Sequence, residues 1–157
     1  MSCFRNLYKP FSWVIISSLL AAPVLAHTVK VNSDVAATFH IEPHHNPTAG
    51  KPSFAWFALT RKGGQLIPLS QCNCQLGVYP IPHDEAKAVP LLKPALKTVN
   101  VEKYKGIIGA TITFPKAGQY EVELRGTAKS PATFKPFSLS YTVTVGGSGG
   151  SDQMHMH

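Results

Sequence analysis

The chain lacks the short motifs that mark common catalytic sites. It contains no G-x-S-x-G nucleophile turn, no H-E-x-x-H helix and no glycine-rich phosphate loop. It also has no cluster of lysine or arginine interleaved with aromatic residues, which argues against nucleic-acid binding. These absences favour a protein that is not an enzyme, and they leave an oxidase-type enzyme as the least favoured alternative.

A long apolar run is missing as well. The apolar segment at residues 12–22 is shorter than the roughly 20 residues that a membrane-spanning helix needs. Basic residues precede this segment, and Val24 and Ala26 occupy the −3 and −1 positions of a signal-peptidase site. Residues 1–26 are therefore predicted to be a signal peptide, and the protein is predicted to be periplasmic or secreted.

Acidic residues are few, so the predicted mature chain is basic. Without Arg5 and Lys9 of the signal, 13 basic residues face 8 acidic ones, a formal charge of +5. Such a chain could contact an anionic membrane surface or an acidic partner. His83 adjoins Asp84 and Glu85 in the sequence, and we interpret this group as a surface cluster.

Residues 27–145 are predicted to form one domain, because their apolar residues alternate with polar ones along short segments. The alternation has a period of two at residues 34–43, 108–114, 120–124 and 137–145, which is typical of half-buried strands. Prolines interrupt residues 80–105, so an extended crossover is expected there. The fold class predicted is an all-β, antiparallel, immunoglobulin-like β-sandwich of about seven strands.

One turn supports the immunoglobulin-like assignment. The segment "PKAGQYEVEL" at residues 115–124 resembles the part of immunoglobulin-like domains in which a tyrosine opens a strand after a tight turn. In that motif the tyrosine hydroxyl bonds back to the backbone. Tyr120 is therefore expected to be structural.

The histidines form the first candidate metal site. Cleavage after Ala26 would make His27 the first residue, with an α-amine and an imidazole able to chelate one ion. His40 lies on the polar face of its predicted strand, and His44 and His45 follow in the next loop. If the strand after His27 runs beside this one, the histidines meet in a nitrogen-rich site suited to Cu(II), with Zn(II) as the alternative metal.

Cys72 and Cys74 form the second candidate. Both point to one face of a predicted strand, with Cα atoms about 6.6 Å apart in extended backbone. Three interpretations are open: two buried thiols, a disulfide that requires a bend in the strand, or a Cu(I) site of two thiolates.

Residues 146–157 are predicted to be a flexible glycine- and serine-rich tail, because they contain too few apolar residues to bury. The tail ends in two pairs that combine a thioether with an imidazole, donors that suit both oxidation states of copper. These candidate ligands are Met154, His155, Met156 and His157. An inert terminus is the alternative.

Taken together, the signal peptide, the mature N-terminal histidine, the small β-sandwich and the Met/His tail resemble periplasmic copper-handling proteins of the CopC-like and YtkA-like immunoglobulin-type families. The segment "EPHHNPTAGKPSFAWFAL" at residues 42–59 is similar to their loop-then-strand entry. The resemblance implies that His27 helps to bind Cu(II). The chain departs from the pattern in having no methionine within the sandwich and in its "CNC" pair.

The sequence therefore predicts an exported metal-binding protein, with copper as the metal, that serves storage, delivery or resistance. Its expected partners are the metal ion and another metal-handling protein of the cell envelope. The alternative is a metal-free, immunoglobulin-like interaction module of the envelope.

Overall fold

The computed structural model describes residues 27–129 and 132–148. These residues form nine strands and one short 3₁₀ turn, η1 (Leu69–Gln71). The strands are β1 (Thr28–Asn32), β2 (Val35–Ile41), β3 (Pro52–Arg61), β4 (Leu66–Ile67), β5 (Cys72–Pro80), β6 (Lys97–Val101), β7 (Tyr104–Thr113), β8 (Gly118–Ala128) and β9 (Phe137–Val145). The described part of the chain is all-β, and none of its helices is long and apolar enough to cross a membrane.

Two antiparallel sheets face one another. The larger has the order β1-β2-β3-β7-β6, with β4 added beside β3, and the smaller has the order β5-β8-β9. The ring centroids of Phe39 on β2 and Tyr141 on β9 lie 4.6 Å apart across the interface. The Tyr141 hydroxyl also donates a hydrogen bond to the carbonyl of Ala37 over 3.0 Å. The predicted antiparallel sandwich is therefore confirmed.

The alternating residues that were expected to point inward do so. On β2, Val35, Ala37, Phe39 and Ile41 are at most 2% exposed, because every second side chain of a strand points to the same face of its sheet. The inward residues of β7, β8 and β9 pack against them in one continuous core. The Tyr120 hydroxyl donates to the carbonyl of Lys116 over 2.8 Å, so its expected structural role is confirmed.

The strand count is higher than the seven or so expected. The two-residue β4 is one addition, and β6 lies inside the proline-rich segment that was expected to be only a crossover. The prolines at 80, 82, 90 and 94 all precede β6, so residues 97–101 keep free N–H groups and pair with β7. The correction adds an edge strand to the larger sheet.

The predicted signal peptide, residues 1–26, lies outside the described residues, as does most of the predicted tail. The tail's first residue, Gly146, forms a parallel bridge with Thr48. Its N–H donates to the carbonyl of Pro47, and its carbonyl accepts from the N–H of Ala49. The chain therefore leaves the sandwich beside the loop that follows β2.

Candidate metal centre

Pairing of the first two strands brings His27 to His40. β1 runs antiparallel to β2 with Thr28 opposite Phe39, so the residue before Thr28 lies opposite the residue after Phe39. The ring centroids of His27 and His40 are 5.2 Å apart, with the rings nearly perpendicular. The strand adjacency on which the sequence-based site depended is therefore present.

His40 is buried, although its position on the polar face of β2 predicted a solvated side chain. It is only 6% exposed, because Trp56 of β3 is its partner across the sheet and stacks on it at 5.4 Å. The centroid of the Trp56 ring also lies 5.2 Å from that of the His27 ring and 5.8 Å from that of Tyr104 on β7. The outer face of the larger sheet thus carries a second, smaller apolar cluster, and the histidines lie at its edge.

The loop after β2 separates the two consecutive histidines. His44 and His45 both have left-handed backbones, with φ of 47° and 60°, a conformation that residues other than glycine adopt infrequently. The His45 ring turns back to lie 4.6 Å from the His40 ring, whereas the His44 side chain is exposed. Of the four histidines predicted for this site, the structure brings together His27, His40 and His45 but not His44.

Carboxylates lie beside two of the rings, and one of them determines which ring nitrogen is available. Nε2 of His40 lies 2.9 Å from Oε1 of Glu42, and since a carboxylate only accepts, this nitrogen donates. The neutral ring then presents a lone pair at Nδ1. Nε2 of His27 lies 3.6 Å from Oε1 of Glu102, which is too long for a hydrogen bond. In metal sites, a histidine that binds the metal through one ring nitrogen commonly donates a hydrogen bond from the other to a carboxylate.

Two imidazole nitrogens of this cluster are buried and have no hydrogen-bond partner among the described residues. They are Nδ1 of His40 and Nε2 of His45. Buried polar atoms normally have partners, so each such exception calls for an explanation. Burial lowers the pKa of His45, and repulsion from His40 and His27 lowers it further against the opposing effect of Glu42. The ring is therefore neutral at neutral pH, the form in which imidazole binds metals.

Within residues 27–129 and 132–148, no three histidine, cysteine or acidic side chains are already placed to hold one ion. In the full chain, moreover, the backbone nitrogen of His27 is part of a peptide bond to Ala26. Removal of residues 1–26 would convert that nitrogen to the α-amine of His27, whose ring lies 5.2 Å from that of His40. The donor set of amine and imidazole nitrogens fits a borderline transition-metal ion such as Cu(II) and does not suit Mg²⁺ or Ca²⁺.

Cys72 and Cys74 are joined in a disulfide, which decides among the three interpretations that the sequence left open. The bend that such a bridge needs is present, because the two Cα atoms are 5.2 Å apart rather than about 6.6 Å. As a disulfide neither sulfur is a thiolate, so their assignment as Cu(I) ligands is wrong for the oxidised protein. Both cysteines also belong to the smaller sheet, away from the histidines.

The remaining predicted ligands, Met154, His155, Met156 and His157, lie outside the described residues. The sequence did not indicate Trp56 or Glu102 as part of the site. Trp56 is the cross-strand partner of His40, but the long loop between β2 (ending at Ile41) and β3 (beginning at Pro52) leaves their register open in the sequence. Glu102 follows the unexpected strand β6, and the sequence contains no signal for it.

No protein-family model and no curated protein matches the chain. Among solved structures, a DUF4426 family protein of Pseudomonas aeruginosa PAO1 is similar over 74% of this chain and 96% of its own, with 11% identity and a TM-score of 0.47. FetP of uropathogenic Escherichia coli strain F11, which was expressed in the periplasm, is similar over 76% of this chain and 93% of its own, with 14% identity and a TM-score of 0.49. At these values neither likeness carries a functional argument, and the CopC-like and YtkA-like resemblance stays a prediction.

Proposed function

We propose that the protein is an exported metal-binding protein that holds one Cu(II) ion at the cluster of His27, His40 and His45. The observation that carries the proposal is a pair of buried nitrogens that have no partner in the part of the chain that the structure describes, Nδ1 of His40 and Nε2 of His45, in rings 4.6 Å apart. A bound ion would accept both lone pairs and so remove the cost of leaving them without a partner.

The protein's own contribution is to fix the ligands before the metal arrives. Glu42 holds the His40 ring in the tautomer that leaves the lone pair on Nδ1. Trp56 stacks on the face of the same ring and limits its rotation. Cleavage after Ala26 adds the α-amine of His27, whose ordinary pKa of about 7.7–8.0 lets a metal displace its proton near neutral pH. All of these donors are nitrogens, and copper has the highest affinity among divalent first-row metals for such sites.

On this proposal the protein binds copper without acting as an enzyme and serves storage, delivery or resistance in the cell envelope. The Met/His tail leaves the sandwich at Gly146, which pairs with the loop that carries His45. The thioether and imidazole donors Met154, His155, Met156 and His157 follow Gly146 in the sequence, and on this proposal they take part in transfer of an ion to or from another envelope protein.

The test is a Cu(II) titration of the mature protein that begins at His27. We expect one tightly bound ion per chain and a loss of at least about 100-fold in affinity for His40→Ala combined with His45→Ala. His44→Ala is the matched control, since His44 adjoins His45 but is exposed, and it should change affinity by less than about threefold. Wild-type affinity in the double variant would refute the site.

A second candidate function is a metal-free interaction module, which the edge strand β1 favours. All five of its residues are exposed, including Val29 at 59% and Val31 at 70%. An edge with free backbone groups and apolar side chains can pair with a strand of another protein. Absence of tight Cu(II) binding in the mature protein, together with capture of an envelope protein that Val31→Lys abolishes, would favour this candidate instead.

A further inference from the structure

A second histidine–carboxylate pair lies on the outer face of the smaller sheet. Tyr79 of β5 is the partner of Glu121 on β8, and the chain after β5 folds back so that the His83 ring stacks on Tyr79 at 5.0 Å. This places Nε2 of His83 3.5 Å from Oε1 of Glu121. The two side chains are only 14% and 23% exposed.

The hydrogen bonding of His83 determines what its second nitrogen presents to Glu121. Nδ1 lies 3.1 Å from the carbonyl oxygen of Pro80, and a carbonyl can only accept, so Nδ1 carries the hydrogen. In the neutral ring Nε2 then presents a lone pair to a carboxylate oxygen. Two acceptors that face one another at 3.5 Å need a positive charge between them, either a proton or a cation.

The separation fits two ligands of a single ion. Zinc binds histidine nitrogen at about 2.0–2.1 Å and carboxylate oxygen at about 2.0–2.2 Å, and a tetrahedral angle then sets the two ligand atoms about 3.3–3.5 Å apart. The backbone contact at Nδ1 is also the usual partner behind a ligating imidazole. His83 and Glu121 therefore have the spacing, and His83 the tautomer, expected of two of the ligands of a metal ion.

The surroundings provide room and further oxygen donors. The pair lines a cavity of about 250 Å³ whose wall also includes Glu85, Glu123 and the hydroxyl-bearing Ser138 and Ser140. The Glu123 carboxylate already forms an ion pair with Arg125, with Oε2 2.7 Å from Nη2, and it accepts a hydrogen bond from the Ser138 hydroxyl. Glu85 is thus the carboxylate of this wall that remains for an ion, and the cavity is wide enough to hold water ligands.

We propose that His83 and Glu121 form a second divalent-cation site of the zinc class, completed by water, with Glu85 on the same cavity wall but no third side chain of the described residues already placed as a ligand. It lies on the opposite outer face of the sandwich from the cluster of His27, His40 and His45, so it does not depend on that site. Its mixed nitrogen and oxygen donors suit Zn²⁺ and distinguish it from the all-nitrogen cluster.

The experiment uses the mature chain with His40, His45, His155 and His157 replaced by alanine, so that other imidazole sites are weakened. Zn²⁺ titration at pH 7.5 should show one ion per chain, and the ¹⁵N signal of His83 Nε2 should move while Nδ1 stays protonated. Glu121→Gln should lower the Zn²⁺ affinity at least about tenfold. The matched control Asp34→Asn, which removes the same charge from the turn between β1 and β2 and belongs to neither site, should not.

Because glutamine has almost the shape of glutamate, Glu121→Gln should leave the fold intact, and an unchanged denaturation midpoint verifies this. Zinc affinity that is unaffected by Glu121→Gln, or His83 signals that respond to pH but not to Zn²⁺, would overturn the proposal. The pair would then be an imidazolium–carboxylate ion pair. Loss of Cu(II) binding at the other face has no bearing on this result.

Discussion

The two outer faces of the sandwich place histidine in different surroundings. On the larger sheet, His40 lies among other imidazoles and against the ring of Trp56, and its Nδ1 has no hydrogen-bond partner within residues 27–129 and 132–148. On the smaller sheet, His83 lies beside Glu121 in a cavity with further carboxylates. The two proposed sites therefore differ in their donors, nitrogen-rich on one face and mixed nitrogen and oxygen on the other, and so in the metals that would suit them.

The largest effect should come from removing the aromatic support of the first face. Trp56 is 1% exposed and contacts both His27 and His40. We expect Trp56→Ala to lower the free energy of unfolding by about 3–5 kcal/mol and to weaken Cu(II) binding as well. Chemical denaturation and Cu(II) titration measure the two effects. A loss below 1 kcal/mol would mean that this apolar cluster contributes little.

Glu42→Gln addresses the same face without disturbing its packing. An amide holds the His40 ring less firmly than the carboxylate 2.9 Å from Nε2, so Cu(II) affinity should fall about 10- to 100-fold. Glu121→Gln serves as the control from the other face and should leave Cu(II) affinity unchanged. Equal losses in both variants would indicate a general charge effect rather than a role in orienting His40.

Glu123 makes the second face sensitive to acid. Burial alone would raise the pKa of this carboxyl, but hydrogen bonds from Arg125 and Ser138 outweigh burial, so its pKa lies below the ordinary value. A group whose pKa is lower in the folded protein stabilises the fold above the unfolded-state pKa of about 4.3 and loses that contribution as pH falls through the folded-state pKa.

We therefore expect Glu123→Gln to cost about 2 kcal/mol at pH 7 and progressively less below about pH 4. Urea midpoints measured from pH 7 to pH 3 give the comparison, with Glu85→Gln as the control on the same cavity wall. A difference between wild type and Glu123→Gln that does not depend on pH would contradict the assigned ion pair.

The disulfide should have the smallest effect, because it closes a loop of only three residues. Reduction of Cys72–Cys74 is expected to lower the free energy of unfolding by about 1–2 kcal/mol in the chain-entropy account and to leave Cu(II) affinity unchanged. Denaturation with and without a dithiol reductant measures the change. A change in Cu(II) affinity on reduction would connect the cysteines to the metal site after all.

The inward faces of the strands could be predicted because alternation is a local property. Phe39 and Leu124 are buried as their positions in the pattern require. The approach of His27 to His40 could also be predicted, since consecutive strands usually pair.

The burial of His40 could not be predicted, because its cover comes from Trp56 on a different strand, which itself packs on Tyr104 of the distant β7. The separation of His44 from His45 depends on two left-handed backbones, which no local pattern indicated. The pairing of His83 with Glu121 likewise arises from tertiary contact between residues 38 positions apart.

The most direct test of the copper site is an electron paramagnetic resonance titration of two forms of the protein. One form begins at His27, and the other carries a single additional residue before it. The first should bind one Cu(II) with a nitrogen-rich spectrum, and the second should lose the amine ligand, show an altered spectrum and bind at least about tenfold more weakly. Identical spectra and affinities in the two forms would contradict a role for the mature N-terminus in the site.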